Sequence, residues 1–295
     1  MERKSQMDLF GAVALIVFAL NLAFNQVVIK VTGEGFNPVF AAGIRSVGAV
    51  VVLLIWMRLS GVSFSVPRAA WFGGILSGIL FATEFTILFI ALDIGTVSRV
   101  SVIFYTMPVW LALIAHFLFP GEGLTVWKIA GLVLAVSGVA MALLDRGSTE
   151  VSLLGDLLAL GSAFCWAAII LCLRLTALRE VPPAQQLMFQ LVVSAPILLL
   201  IAPFFGPLIR DLEPIHYVAM AFQIICVASL GFLAWFWLLS IYPSSSVASF
   251  SFLSPVFAVI LGWLLLSEDV ALSVWVALVL VASGIFLINR KPREG

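Results

Sequence analysis

Two residues of opposite charge stand deep inside long apolar runs. Arg45 lies nine residues from Phe36, and Glu84 lies eight residues from Leu92. On helices rising about 1.5 Å per residue, both sit about 12–14 Å below the same membrane surface. An isolated charge at that depth costs at least about 2.5–3.5 kcal/mol on insertion scales. Two readings offset that cost. In one, the pair is static and locks two helices together. In the other, one or both face a cavity and engage the carboxylate or ammonium of a zwitterion, or relay a proton.

A second group carries hydroxyls and prolines. Ser98, Ser101, Tyr105 and Pro108 are spaced 3, 4 and 3, which puts them on one helical stripe. Ser245, Ser249, Phe252 and Pro255 form a corresponding stripe later in the chain. Proline frees a carbonyl one turn earlier, which is tolerated in a membrane only where protein or cavity water satisfies it. The stripes read either as two cavity walls, with Pro108 and Pro255 as kinks that gate them, or as small-residue packing surfaces. Asn21 and Asn25 form an i, i+4 pair, as do Gln186 and Gln190, with Ser194 one turn on. Interhelical hydrogen bonding explains either set, and so does solute contact. Trp166 offers a flat apolar wall if it points inward.

Other chemistries lack their residues. His116 and His216 fall near opposite membrane faces, and no Cys/His cluster exists. There is no Gly-Lys dipeptide and therefore no P-loop; HExxH and GxSxG are also absent. Cys165, Cys172 and Cys226 lie in apolar stretches and read as buried small residues. The expectation is a chain with no catalytic residues, no metal and no cofactor.

The elements that must carry these residues follow from composition. The chain has 295 residues, 63% hydrophobic and only 10% charged, with formal net charge zero. That charge cannot cover a soluble particle, and neutrality excludes a basic nucleic-acid binder. Ten apolar segments are each long enough to cross a bilayer: 8–30, 36–57, 70–92, 97–119, 125–144, 153–175, 185–205, 215–241, 245–266 and 271–289. Runs this continuous are helices, not barrel strands. Gly74 and Gly78 form a GxxxG that predicts close helix packing. With a cytoplasmic N-terminus, the inside carries Arg3, Lys4, Arg58, Arg68, Lys128, Arg174, Arg179, Arg290, Lys291 and Arg293. The outside carries only Lys30, Arg99, Arg146 and Arg210. This asymmetry places both termini in the cytoplasm.

The chain also repeats itself. At one constant offset Ser98 meets Ser245, Tyr105 meets Phe252, Pro108 meets Pro255, and Glu122 meets Asp269. Ser137-Gly138 matches Ser283-Gly284, Lys30 matches Arg174, Pro38 matches Pro183, and Arg45 matches Gln190. Two units result, 1–147 and 148–295, with five spans each. Five is odd, so the second unit enters from the opposite side. Inverted repeats supply two similar states, one open to each side, around a midplane site.

These residues resemble the EamA-type repeat of the drug/metabolite transporter superfamily. The resemblance rests on Lys30, Arg45, Pro108 and Pro255 with the acid after each, and on Gly155-Asp156 with Trp166-Ala167. It covers nearly the whole chain and is greatest toward the YddG-like amino-acid exporters of bacterial inner membranes. It implies an all-α protein of ten transmembrane helices around a central cavity, both termini cytoplasmic, exporting amino acids or related metabolites. The partners expected are a small-molecule substrate and the lipid bilayer, with no nucleic acid and no need of a second copy. A multidrug exporter of the same architecture, taking lipophilic cations, is the nearest rival. An intramembrane lipid-modifying enzyme is a more distant one.

Overall fold

The computed structural model describes residues 8–120, 123–145, 152–242, 247 and 250–289. Ser245, Ser249, Glu122, Arg3, Lys4, Arg146, Arg290, Lys291 and Arg293 lie outside the described residues. Within them the chain forms helices α1 (Leu9–Gly35), α2 (Pro38–Leu59), α3 (Trp71–Ile94), α4 (Val97–Phe104), α5 (Met107–Leu118) and α6 (Val126–Leu144). The second half continues with α7 (Leu153–Leu175), α8 (Pro183–Ile201), α9 (Pro214–Phe222), α10 (Leu230–Ile241), α11 (Leu253–Leu266) and α12 (Leu272–Asn289). Among the described residues, nine helical spans are long and apolar enough to cross a membrane, and α11 adds a shorter apolar helix. The protein is therefore an all-helical, multi-pass membrane protein.

Helix starts follow local chemistry. Asp8, Asn37, Thr96, Thr125 and Ser152 each accept a first-turn N–H through the side chain, as good N-caps do. Helix α1 runs past its expected end at Lys30, through Gly33 and Gly35. Those glycines serve close approach instead of termination. A Cβ on Gly33 would fall 3.0 Å from Asp93 Oδ1, and one on Gly35 would strike the His216 ring.

Three expected spans are interrupted. The fourth divides into α4 and α5 at Tyr105-Thr106, just before Pro108. In the ninth, residues 250–252 form a turn and α11 begins at Leu253, two residues before Pro255. The eighth was expected to be continuous, yet it changes to a π-helical stretch, Gln223–Val227, before α10. No proline or glycine lies within that stretch, although Gly231 follows it closely, and a Cβ there would fall 2.9 Å from the Cys226 carbonyl oxygen. The widened turn is held instead by side chains: Ser229 Oγ donates to the Ile224 carbonyl at 2.8 Å, and Asn21 Nδ2 to the Cys226 carbonyl at 3.0 Å.

Terminal contacts fix the direction of each helix. Lys30 Nζ donates to the carbonyls of Asp93 and Gly95, so α1 and α3 end on one face, termed the Gly35 face. Asn37 Nδ2 reaches the Phe205 carbonyl there, and Arg210 Nη1 reaches the Gly33 carbonyl and Asp93. Helix α7 begins on this same face, where Asp156 meets Arg99. On the opposite face, Tyr242 donates to Asp8 at 2.7 Å and Arg174 lies 3.9 Å over the Phe119 ring. So α1 rises from the Asp8 face, and α7 descends from the Gly35 face.

Packing joins the halves. Helix α3 lies on α8 through Gly74 and Gly78; a Cβ on Gly74 would meet the Phe189 ring at 2.6 Å. Helices α2 and α8 meet at Ser46 and Ser194, 3.2 Å apart. Helices α6 and α12 pack on small residues: Gly131 faces Gly284, and Gly138 faces Ala277 and Val281. Helix α1 is central, packed on α11, α9, α3 and α4. Its stripe of Asn21, Asn25 and Thr32 faces the broken eighth span.

Candidate functional site

Arg45, one of two charges that sequence places deep in the membrane, is buried on α2. Its guanidinium stands 4.2 Å from the Phe85 ring centroid and 6.0 Å from that of Phe89, both on α3. Its Nε has no hydrogen-bond partner among the described residues. Glu84 is buried on the same helix as the two rings, against α7, where Ser162 Oγ donates to the Glu84 backbone carbonyl at 3.3 Å. The two charges act on each other through space. They do not form an ion pair among the described residues, so a tight static lock is not what the geometry holds.

The hydroxyl stripe of the fourth span is distributed among three surroundings. Ser98 sits at the Gly35 end, bonded to Glu268. Ser101 is fully buried, and its Oγ has no partner among the described residues. Tyr105 receives Gln26 Nε2 at 3.3 Å and donates to the Leu22 carbonyl at 3.1 Å. Pro108 opens α5, behind Thr106, whose hydroxyl accepts from Trp110 Nε1 at 2.9 Å. Trp166 points inward from α7, stacked on Phe104 at 5.0 Å and 18° and edge-on to Tyr105 at 6.4 Å. Asn21 binds the Cys226 carbonyl, and Asn25 is buried with Oδ1 unpartnered. Gln190 is buried on α8, and Pro255 is buried near the start of α11.

Sequence reasoning passed over several residues. Glu268, which lies between the expected ninth and tenth spans, reaches back to the start of α4. Its carboxylate accepts from Ser98 N at 2.9 Å, from Val97 N and from Ser98 Oγ. A carboxylate on free first-turn N–H groups is stabilised by both hydrogen bonds and the helix dipole. Two features of α11 permit the reach. Ser267 takes a left-handed conformation, φ 53°, uncommon for a residue other than glycine. Gly262 leaves the space, since its Cβ would fall 2.7 Å from Glu268 Oε2 and 2.9 Å from Ser98 Oγ. A small pocket beside this contact is lined by Thr96, Ser98, Arg99, Asp269 and Val274.

Arg99, counted by sequence among the solvent-facing bases, is instead buried at the same end. It pairs with Asp156 at 2.7 Å, donates to the Ala142 carbonyl, and lies 3.9 Å from Asp145. Nearby, Arg210 grips Asp93 with two nitrogens, at 2.6 and 2.9 Å. The Asp93 carboxylate, by accepting those hydrogen bonds, raises the Arg210 guanidinium above its ordinary range. The Gly35 face is thus tied by charge across both halves. Every residue of α4 is buried, whereas α5 buries only Met107, Val109 and Ala115. Among the described residues, no group of three or more metal-ligating side chains is present.

The EamA-like transporter family model matches this chain twice, over residues 9–144 and 153–290. An uncharacterized transporter of Bacillus subtilis is 28% identical over 98% of this chain and 93% of its own length. A probable amino-acid metabolite efflux pump of Escherichia coli is 26% identical, covering 94% of this chain and 93% of its own. A solved crystal structure has the same fold at TM-score 0.67 with 20% identity, covering 95% of this chain and 96% of that one. The match falls on both halves at once, so the chain belongs to the EamA-like transporter family.

Proposed function

We propose that this transporter exports amino acids or related small metabolites across the cell's inner membrane by alternating access, with both termini in the cytoplasm. One observation carries the reading. Arg45 is a buried guanidinium near the midplane with an unpartnered Nε, and its neighbouring carboxylate leaves it unpaired. A charge kept in the membrane on ring faces, without an anion paired to it, is a functional signal. A solute carboxylate completes Arg45, and Glu84 with the adjacent aromatic rings receives the rest of a zwitterion. The Escherichia coli relative, a probable amino-acid metabolite efflux pump, points to the same solutes.

Alternating access draws support from exchanged contacts. Gly138 faces Ala277 while Gly131 faces Gly284, the pairing a two-fold axis in the membrane plane would produce. Units 1–147 and 148–295 are its two inverted repeats. In this arrangement the Gly35 face is the outer one, closed by the Glu268 contact on α4. The looser burial of α5 is that of a path toward the cytoplasm.

Counterflow in proteoliposomes across a panel of amino acids, with and without a pH gradient, tests the reading. Exchange of at least one amino acid is expected, and none across the panel removes it. A second reading, a lipophilic-cation exporter, is favoured by buried Glu84 sharing α3 with the packed rings of Phe81, Phe85 and Phe89. Stronger inhibition by lipophilic cations than by any amino acid would select it.

A further inference from the structure

The first turn of α4 holds two N–H groups that the helix cannot satisfy by itself. Thr96, its N-cap, provides for the next two: its Oγ accepts from Arg99 N at 3.4 Å and its carbonyl from Val100 N at 3.1 Å. Val97 N and Ser98 N are left to the Glu268 carboxylate, which also takes the Ser98 hydroxyl. Val97 and Ser98 are 0% and 2% exposed, so without this acceptor two buried donors would stand bare.

The acceptor is held there under strain. Glu268 reaches α4 from a short connection through Ser267, whose φ of 53° crowds its Cβ against the backbone. Gly262 makes room only because it has no Cβ. Departure of the carboxylate relieves both constraints. A second observation points to a ligand of the same chemistry. Arg99 lines the pocket beside Ser98 and Glu268, is 3% exposed, and its Nη1 has no hydrogen-bond partner among the described residues. Its Nε and Nη2 are taken by Asp156 and the Ala142 carbonyl, while the Asp145 carboxylate stands 3.9 Å from Nη1. Asp269, exposed, lines the same pocket. Its charge disfavours an anion of higher charge and suits a carboxylate whose other end is an ammonium.

We infer that the start of α4, with Ser98 and Arg99, is a solute-carboxylate site on the Gly35 side: Glu268 occupies it while that face is closed, and the acid group of the departing solute replaces Glu268 as the face opens. The inference rests on the amino-acid export reading and adds a second station for the solute's acid beyond Arg45. It also couples opening to cargo. An empty carrier that moves Glu268 away strands Val97 N and Ser98 N. A loaded one exchanges one carboxylate for another, and so opens more readily.

The test begins with melting of purified full-length protein in detergent. Glu268→Ala should melt lower than wild type in chloride. Acetate at equal ionic strength should recover roughly half of that loss or more, saturably, as a ligand of the vacated site does. Acetamide should recover none, and wild type should not respond, because Glu268 fills the site. Adding Ser98→Ala to Glu268→Ala should raise the acetate concentration for half recovery by about tenfold. Glu268→Gln serves if Glu268→Ala elutes as aggregate, since a neutral amide yields to acetate where a carboxylate does not. In proteoliposomes, the best exchanged amino acid is then competed with its desamino acid and its decarboxylated amine. Ser98→Ala should weaken inhibition by the amino acid and the desamino acid by about threefold or more, and leave inhibition by the amine unchanged. No acetate response in the Glu268 variants, an equal response in wild type, or a Ser98→Ala effect equal on acid and amine overturns the inference and leaves the export reading standing. Wild type that exchanges no amino acid overturns the export reading and the solute's place at α4 together.

Discussion

The Arg45 guanidinium lies 4.2 Å from the Phe85 centroid, and a desolvated cation–π contact of this kind is worth about 2 kcal/mol. Set against an insertion cost of about 2.5–3.5 kcal/mol, the ring face offsets most of the charge without an anion. Arg45 therefore needs Glu84 less for folding than a buried ion pair would. Arg45→Met and Glu84→Gln should each give detergent-stable protein within about twofold of wild-type yield, and each should lower exchange by about tenfold or more. The double mutant should recover neither loss of exchange. Poor yield in both single mutants, restored in the double, would mark a structural pair, because removing one partner of a true buried pair is the damaging change. Arg45 and Glu84 were legible in sequence, since a lone charge in an apolar run is conspicuous. Which buried amides keep an unpartnered oxygen, as Gln26 and Gln223 do among the described residues, was not. An amide in a membrane helix is ordinarily spent on a neighbouring helix, and only the placement of Tyr105 and Thr32 determines which end of each amide is left over.

At the scale of elements, the fourth and eighth spans are each two pieces, and a broken span can pivot where a continuous helix cannot. Glu268 holds the Gly35-side piece of the fourth span, α4, against the end of α11. A hydrogen bond to a buried charge contributes about 1.5–3 kcal/mol. Glu268→Gln should therefore shift the population toward a state open at the Gly35 face by about 10-fold or more. The readout is a Ser101→Cys substitution in a background without Cys165, Cys172 and Cys226. Its thiol should be nearly inert to an impermeant reagent added on the Gly35 side, and should react faster once Glu268→Gln is added. Gly262→Ala should act in the same direction while keeping the carboxylate, because its Cβ would crowd Glu268 Oε2 and Ser98 Oγ. Unchanged labelling in both variants would make the Glu268 contact a simple helix cap. The proline breaks could be read from sequence because Pro108 and Pro255 lack the N–H that a continuous helix needs. The eighth span carries no such mark, and its π-helical stretch depends on Asn21 arriving from α1.

For the whole molecule, the pairing of α6 with α12 is the clearest contact between equivalent helices. It is built on backbone approach at Gly131 and Gly284, where a Cβ on either would fall 2.5–2.6 Å from the other's carbonyl oxygen. Gly131→Leu and Gly284→Leu should each destabilise by about 1–3 kcal/mol or more, seen as a lower melting temperature in detergent. Wild-type melting in both would mean that α6 and α12 can separate without loss. Topology has its own check. Reporter fusions at the N- and C-termini should both be active as cytoplasmic reporters; periplasmic activity from the C-terminal fusion would defeat the orientation.

Composition alone determined that this is a multi-pass helical membrane protein, because a chain so poor in charge has no other solvent to fold in. Spacing placed most span ends among the described residues to within a few residues, because a bilayer sets helix length. What sequence left open is which polar atoms remain unpaired. Arg99 and Glu268 look like loop charges in the chain, yet the fold uses them to tie α4 to α7 and α11. Ser98 and Tyr105 look like cavity hydroxyls, yet partners more than 70 residues away occupy them. A hydrogen bond has two ends. In a bundle whose helices meet far apart in sequence, one end is local, and the other is decided only when the helices are packed.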